Sequence, residues 1–260
     1  MKTLILFAYN ERLSIFDDNL RFFIEFGVFE SDLYDFCIVV SGPVQQLPTK
    51  KVKNMQILER NNEKGDFGAW GDGLKLYNLD SYDKFIFLND TSRGPYVQGT
   101  CPVEMWPQLF TCMLDDRCKL VGPTQNSMIE EHIQSYAFAC DITALKILMD
   151  DRIFAPTLQY PLQKNQFIIR HEIGMSRLLI SKGFTFKSFF KGNGLTPYFG
   201  LITISPFEIM FIKANMPMKF DKRQIENATP GWNSVHRPCL STKKTNEKVL
   251  IVSRRSLQKK

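Results

Sequence analysis

Short apolar runs, each cut off by a polar turn, alternate along the chain with stretches in which apolar residues recur every three or four positions. Thr3 to Tyr9, Phe36 to Val40, Met55 to Leu58 and Phe85 to Leu88 are rich in β-branched and aromatic residues and are shorter than a stable helix. Such runs predict strands covered on both faces. Leu13, Phe16, Leu20, Phe23 and Gly27 keep helical spacing behind a cap at Ser14. Val103, Trp106, Leu109, Phe110 and Met113 predict a helix that admits Pro107 near its start. Lys119 to Gly122 and the run reaching Cys140 predict two more strands, and Ile142 to Met149 a helix with Asp141 at its N-cap. A last helix is predicted to open at Arg170-His171-Glu172 and to end at Lys182-Gly183. Residues 184–230 carry no pattern that assigns them. Strands separated by helices argue for an α/β fold: one domain whose mixed, mainly parallel central sheet is flanked by helices.

The run Phe85 to Leu88 stops abruptly at Asn89-Asp90, before a polar turn closed by Gly94-Pro95. It is predicted to lie centrally. A carboxylate at the carboxyl end of a buried strand stands where open α/β sheets bind ligands. There Asp90 would hold a divalent cation against substrate phosphates; its structural alternative is a capped turn. The first strand ends in Ala8-Tyr9-Asn10-Glu11, a position from which backbone groups reach a nucleotide base. The segment Glu59 to Leu74 contains Gly65, Gly68, Gly71 and Gly73. Glycines so dense are costly unless the backbone turns tightly or approaches a ligand. The segment opens a helix predicted to reach about Tyr77, with its free amides towards a phosphate or sugar. Arg60 and Asp66 are the natural phosphate and sugar contacts, against the alternative of a glycine-rich turn with a capping Asp. The spacing is neither G-x-G-x-x-G nor a Walker loop.

Other polar residues have bland readings. His132 reads as a surface or satisfied histidine. Glu172 in a first turn complements the helix dipole, and no second histidine follows it to make the zinc motif H-E-x-x-H. His236, after Pro230-Gly231-Trp232, matters only if it folds back as a ligand beside Asp90.

Composition narrows the class. The chain has 260 residues and is 44% hydrophobic, enough for a full core. Its six cysteines include no C-x-x-C pair, which fits free thiols in a reducing, cytoplasmic setting. No run approaches the roughly 20 apolar residues of a membrane span, and the amino terminus reads as a strand rather than a signal peptide. Of the net charge of +6, the tail 237–260 holds eight Lys and Arg against one Glu. The body is therefore near neutral and is not a nucleic-acid binder.

Taken in order, Ala8-Tyr9-Asn10, Arg60-Asn61…Gly65-Asp66-Phe67-Gly68-Ala69-Trp70, Phe87-Leu88-Asn89-Asp90, His132-Ile133-Gln134-Ser135-Tyr136 and Glu172-Ile173-Gly174-Met175-Ser176 resemble the GT-A-type glycosyltransferases related to the rhamnan-synthesis proteins. That group has soluble members in giant algal viruses. The resemblance spans about residues 3 to 183, with Leu88-Asn89-Asp90 in place of a full Asp-x-Asp. It implies a Rossmann-like GT-A domain over 1–236, with a nucleotide-sugar half (1–100) and an acceptor half (101–236), followed by a basic tail (237–260). It implies transfer of a hexosyl or pentosyl group from a nucleotide-diphosphate sugar to a glycan or glycoprotein hydroxyl, with Mn²⁺ or Mg²⁺. Donor binding would fall to Ala8, Tyr9, Asn10, Glu11, Arg60, Gly65, Asp66, Asn89 and Asp90. Asp90 would ligate the metal with His236 as a second ligand. An inverting enzyme also needs a carboxylate base: Glu172 first, Asp141 second. The alternatives are a catalytically inactive nucleotide-sugar or glycan-binding domain and, more remotely, a methyltransferase.

Overall fold

The computed structural model describes residues 2–10, 14–42, 50–61, 65–98, 101–127, 129–155, 164–190, 203–214 and 219–220. They lie in one compact unit, Met1–Asp221; a second unit, Lys222–Lys260, falls outside the described residues, as do Glu11 and His236.

In chain order the first half comprises β1 (Thr3–Asn10), α1 (Ser14–Phe22) running into a π turn (Phe23–Gly27), β2 (Tyr34–Ser41), β3 (Met55–Arg60), α2 (Asp66–Leu74), β4 (Lys84–Asn89) and β5 (Ser92–Arg93). Then come α3 (Trp106–Phe110), β6 (Cys118–Gly122), β7 (Gln125–Asn126), β8 (His132–Ile133), β9 (Ala137–Asp141) and α4 (Ile142–Asp150). α5 (Lys164–Phe167), a π-helical turn (Ile168–Ile173) and α6 (Gly174–Ser181) follow without a break, then β10 (Thr185–Ser188). β11 (Thr203–Ile204), α7 (Pro206–Ile209), β12 (Ile212–Lys213) and β13 (Lys219–Phe220) complete the described chain.

Seven strands form the central sheet in the order β10-β6-β9-β4-β1-β2-β3, so β4 is the middle strand. β1 pairs parallel with both β2 and β4, and β2 with β3. Only β9 breaks the direction, running antiparallel to β4 and β6. The mixed, mainly parallel sheet and the central place of Phe85 to Leu88 are as the apolar runs predict.

Alternate side chains of each strand serve opposite faces. Leu4, Leu6, Ala8, Phe85 and Phe87 pack beneath α2, α4 and α6, around Phe67, Trp70 and Leu145. Ile5, Phe7, Tyr9, Ile86 and Leu88 pack on the other face against Leu20, Phe23, Trp106 and Phe110. Covering both faces is what lets β1 be buried over its whole length.

α2 sits unusually close to the sheet. A Cβ on Gly73 would lie 2.9 Å from Leu6 and Val39 in the sheet, and one on Gly71 2.1 Å from the Phe154 carbonyl oxygen in the turn after α4, so these two glycines serve helix packing. Trp70, fully buried, donates its indole N–H to the Leu88 carbonyl at 2.9 Å and meets Phe138 edge-on at 5.4 Å. That bond pins the middle of α2 to the end of β4.

Three boundaries differ from expectation, the first being the helix read from Val103 to Met113, which is α-helical only over Trp106–Phe110. α2 ends at Leu74 and not near Tyr77, because Leu76 and Tyr77 bond back only three residues, as turns. The helix bearing Glu172 begins at Lys164, so Glu172 lies in its middle, inside a π turn, and not in a first turn. The dipole explanation for Glu172 therefore fails. Among the described residues no helix is long and apolar enough to cross a membrane. The described cysteines are free; Cys37, Cys118 and Cys140 are buried, and burial pushes the Cys37 thiol up to about 11.

Candidate functional site

Parallel pairing brings the carboxyl ends of β1, β2, β3 and β4 to one rim, with Ala8 beside Asn89, Asn10 beside Ser41 and Ser41 beside Arg60. Polar residues at that rim are tied to one another. The Asn10 backbone N–H donates to Asp90 Oδ2 at 2.9 Å, and its side-chain amide donates to Asp66 Oδ1 at 3.1 Å. Asn89 donates its amide to Asp66 Oδ2 at 2.8 Å. Asn89 Oδ1 meanwhile accepts from the Thr91 amide and hydroxyl at 3.1 and 2.7 Å, an Asx turn. Below them Asn19 donates to the Asp90 carbonyl at 2.8 Å and accepts from Arg93 at 3.2 Å. Arg93 in turn lies over the Phe22 ring at 4.7 Å.

Asn10, Asp66, Asn89 and Asp90 thus converge, although 80 residues separate the first from the last. Gly65 introduces α2 with φ +123°, a conformation that favours glycine, and so turns Asp66 towards the strands. Ala8 and Tyr9 reach the rim through their backbone only; their side chains belong to the two core faces. Arg60 is tied to α2, its guanidinium 3.2 Å from Asp72.

The oxygen-rich set suits a hard divalent cation. Such an ion is commonly held by one or two carboxylates completed by substrate phosphates, and Asp90 with Asp66 supplies that number. Among the described residues no three His, Cys, Asp or Glu side chains converge as a ready-made metal cage. Asn89 is a poor ligand, since its carbonyl oxygen is committed to Thr91.

A second polar group reaches the same rim from the later part of the chain. β9 runs antiparallel to β4, so the residues preceding it arrive where β4 ends, and the Tyr136 carbonyl accepts the Asn89 N–H at 3.1 Å. Just before Tyr136, the Ser135 backbone N–H donates to Glu172 Oε2 at 3.1 Å, and the Ser135 hydroxyl makes a short hydrogen bond to the same oxygen. Glu172 Oε1 lies 3.2 Å from His132 Nε2, and His132 Nδ1 donates to the Glu130 carbonyl at 2.7 Å. The π turn swings Glu172 inward, leaving its side chain 13% exposed and that of His132 4%. Burial works to raise the Glu172 carboxyl. The hydrogen bond from His132, the charge of Lys213 and the Ser135 hydroxyl outweigh it and hold the group below its ordinary value. Lys213 sits on β12, which pairs with β5 just after Asp90, and its ammonium lies 5.7 Å over the Tyr136 ring.

The structure separates Asp141 from this arrangement. Asp141 pairs with Lys84 at the start of β4, the opposite rim of the sheet. Its carboxylate caps α4 through the Ala144 N–H at 2.9 Å and pairs with Lys119 at 2.6 Å. The N-cap reading accounts for its place in the structure.

His132, Ser135 and Lys213 were not among the sequence candidates. His132 begins β8 and Ser135 follows that strand, inside the His132–Tyr136 motif that carries the resemblance but gives neither residue a role. Lys213 lies in the stretch whose pattern assigns nothing.

The sequence model of one family, described as rhamnan synthesis protein F, matches residues 43–224. No curated protein matches. Solved structures with a similar course include a mannosyltransferase from Pyrobaculum calidifontis in complex with GDP-Man and Mn²⁺ (8% identity, 72% of this chain and 54% of that one, TM-score 0.46). Others are the glycosyltransferase GlyE of Streptococcus pneumoniae (8%, 72% and 45%, 0.42) and a glycosyltransferase involved in glycosylation of the major capsid of PBCV-1 (10%, 66% and 76%, 0.38). The chain spans about half the length of the first two, 54% and 45%.

Proposed function

The chain belongs to the rhamnan synthesis protein F family, and on that premise we propose that it is a glycosyltransferase moving a sugar from a nucleotide-diphosphate donor to a glycan hydroxyl. The observation that carries this reading is the meeting, at one rim, of the Asn10–Asp66–Asn89–Asp90 network with the partly buried carboxylate of Glu172. One part suits a diphosphate sugar, the other the proton that an acceptor must lose.

In this reading residues 1–100 hold the donor and the following residues hold the acceptor. The β1 end, with Glu11, lines the base. Asp66, fixed by two amides, orients the sugar, and Arg60 faces the phosphates from the β3 end. Asp90 and Asp66 would hold a divalent cation, Mn²⁺ or Mg²⁺, with His236 added on sequence grounds. When bound, such an ion supplies charge neutralisation for the departing diphosphate. Glu172, held ionised at neutral pH by its neighbours, takes the acceptor proton in a single inverting displacement.

The test is a panel of nucleotide-diphosphate sugars offered to the full chain with and without Mn²⁺, scored for release of nucleoside diphosphate and for donor binding by calorimetry. Release that an acceptor glycan accelerates is the expected result. Binding without release would favour an inactive sugar-binding domain, and neither would refute the reading.

A further inference from the structure

We propose that Ser135, rather than Glu172 itself, meets the acceptor hydroxyl, relaying its proton to Glu172 while His132 acts as a positioning residue. This inference rests on the transfer reading above.

The two oxygens of Glu172 have different surroundings. Oε1 faces the ring of His132, which is almost wholly buried. Nδ1 of that ring points at the Glu130 carbonyl, an acceptor, so Nδ1 carries a proton. Nε2 faces a carboxylate oxygen, so a single proton is shared between Nε2 and Oε1, and that side is closed to substrate. Oε2 is the remaining oxygen, and both the N–H and the hydroxyl of Ser135 are already bonded to it. An oxygen accepting two donors has its two lone pairs engaged. A hydroxyl arriving from the rim therefore meets Ser135 Oγ first; Ser135 is half-buried and directly precedes the residue bonded to Asn89.

The step balances. A bond forms between the acceptor oxygen and the anomeric carbon, while the bond from that carbon to the diphosphate oxygen breaks and its electron pair leaves with the diphosphate. The acceptor proton moves to Ser135 Oγ, and the proton Ser135 held moves to Glu172 Oε2. Ser135 ends unchanged, and Glu172 ends as a carboxylic acid that returns its proton to solvent. His132, by occupying Oε1, leaves Oε2 as the site of protonation.

The test uses the full chain with the donor found in the panel assay. Ser135→Ala should lower kcat by roughly 10²-fold, the lower end of acid–base contributions, with the donor KM unchanged, and Ser135→Thr should restore most of the rate. In mixed H₂O and D₂O the wild-type rate should follow a curved dependence on deuterium fraction, since two protons move together. Ser135→Ala, with one transfer left, should follow a line. His132→Gln keeps a donor on Oε1 but loses the ring's part in holding the Glu172 carboxyl below its ordinary value, so the acid limb of the pH–rate profile should move upward. A linear wild-type dependence overturns the relay even if Ser135→Ala does not fold. So does Ser135→Ala at full rate in an enzyme whose wild type transfers sugar. A wild type that transfers nothing overturns the transfer reading, and the relay with it.

Discussion

Replacing Glu172 by glutamine separates a chemical role from a structural one. Glutamine has the same shape, and its carbonyl oxygen can accept the amide and hydroxyl of Ser135 that Oε2 accepts now. Its amide can donate to His132 Nε2, provided the ring is neutral with its proton on Nδ1, where the Glu130 carbonyl already wants it. Every buried partner stays satisfied, so the loss should be under about 1 kcal/mol, or roughly 2–4 °C in Tm for a chain of this size. Alanine would instead strand the Ser135 N–H and the His132 ring, at about 3–5 kcal/mol. The rate behaves differently. If Glu172 accepts the proton, Glu172→Gln removes roughly 10²–10⁴-fold of transfer, or about 2.7–5.5 kcal/mol of barrier, with donor affinity kept. Folding stability adds a sign. The carboxyl is held below its ordinary value of 4.5, so its stabilisation is fully present above that pH and disappears as the pH falls through the lower folded value. Glu172→Gln should lack that acid-side loss. Thermal melts from pH 3 to 7 and steady-state transfer rates measure both. A glutamine variant with the wild-type rate would refute the chemical assignment, and one that melts many degrees lower would refute the isosteric reasoning.

Two further substitutions probe the remaining groups. Asp90→Asn keeps an acceptor for the Asn10 N–H, so the fold should persist within about 1 kcal/mol while Mn²⁺-stimulated donor binding is lost; unchanged cation and donor affinity by calorimetry would remove Asp90 from the site. His171 is buried against Phe67 and Phe167, and burial pushes it below its ordinary value of 6.5. The unfolded chain therefore takes up a proton that the folded chain resists, and stability should fall as the pH drops below 6.5, by at most about 1.4 kcal/mol per pH unit. His171→Phe should remove that component in denaturant titrations at pH 5 and 7.5, and an unaltered pH dependence would show that His171 protonates freely in the fold.

How much of this was legible in the sequence depended on distance along the chain. Buried strands announce themselves locally, so β1, β2 and β4 and the central place of Phe85 to Leu88 follow from composition alone. Asp66, Asn89 and Asp90 were legible because each ends or opens an element at a predictable rim. The partners of Glu172 were not. His132 and Ser135 reach it across a π turn that no periodicity marks, and the strand reversal at β9 decides which rim they join. The same reversal misplaced Asp141, whose position after a strand looks equivalent to that of Asp90 until the direction of β9 is known. Lys213 depends on a two-residue strand pairing back to β5, too short to leave a pattern.

That single reversed strand also divides the surface into two kinds of real estate. Chain segments that enter β9 come to the rim of Asp90, while Asp141, Lys84 and the turn Leu79–Ser81 gather at the other end, where the largely buried pair of Asp141 with Lys119 is a scaffold bond and that of Asp80 with Lys146 lies on the surface. Among the described residues, this far end is where an affinity tag, a fluorophore or a bead linkage could be attached through a cysteine placed at Asp80, whose side chain is 76% exposed, once the exposed Cys101 and Cys112 are replaced by serine. A protein immobilised there would present the rim that carries Asn10, Asp66, Asn89 and Asp90 outward, open to polymers too large to diffuse into a gel.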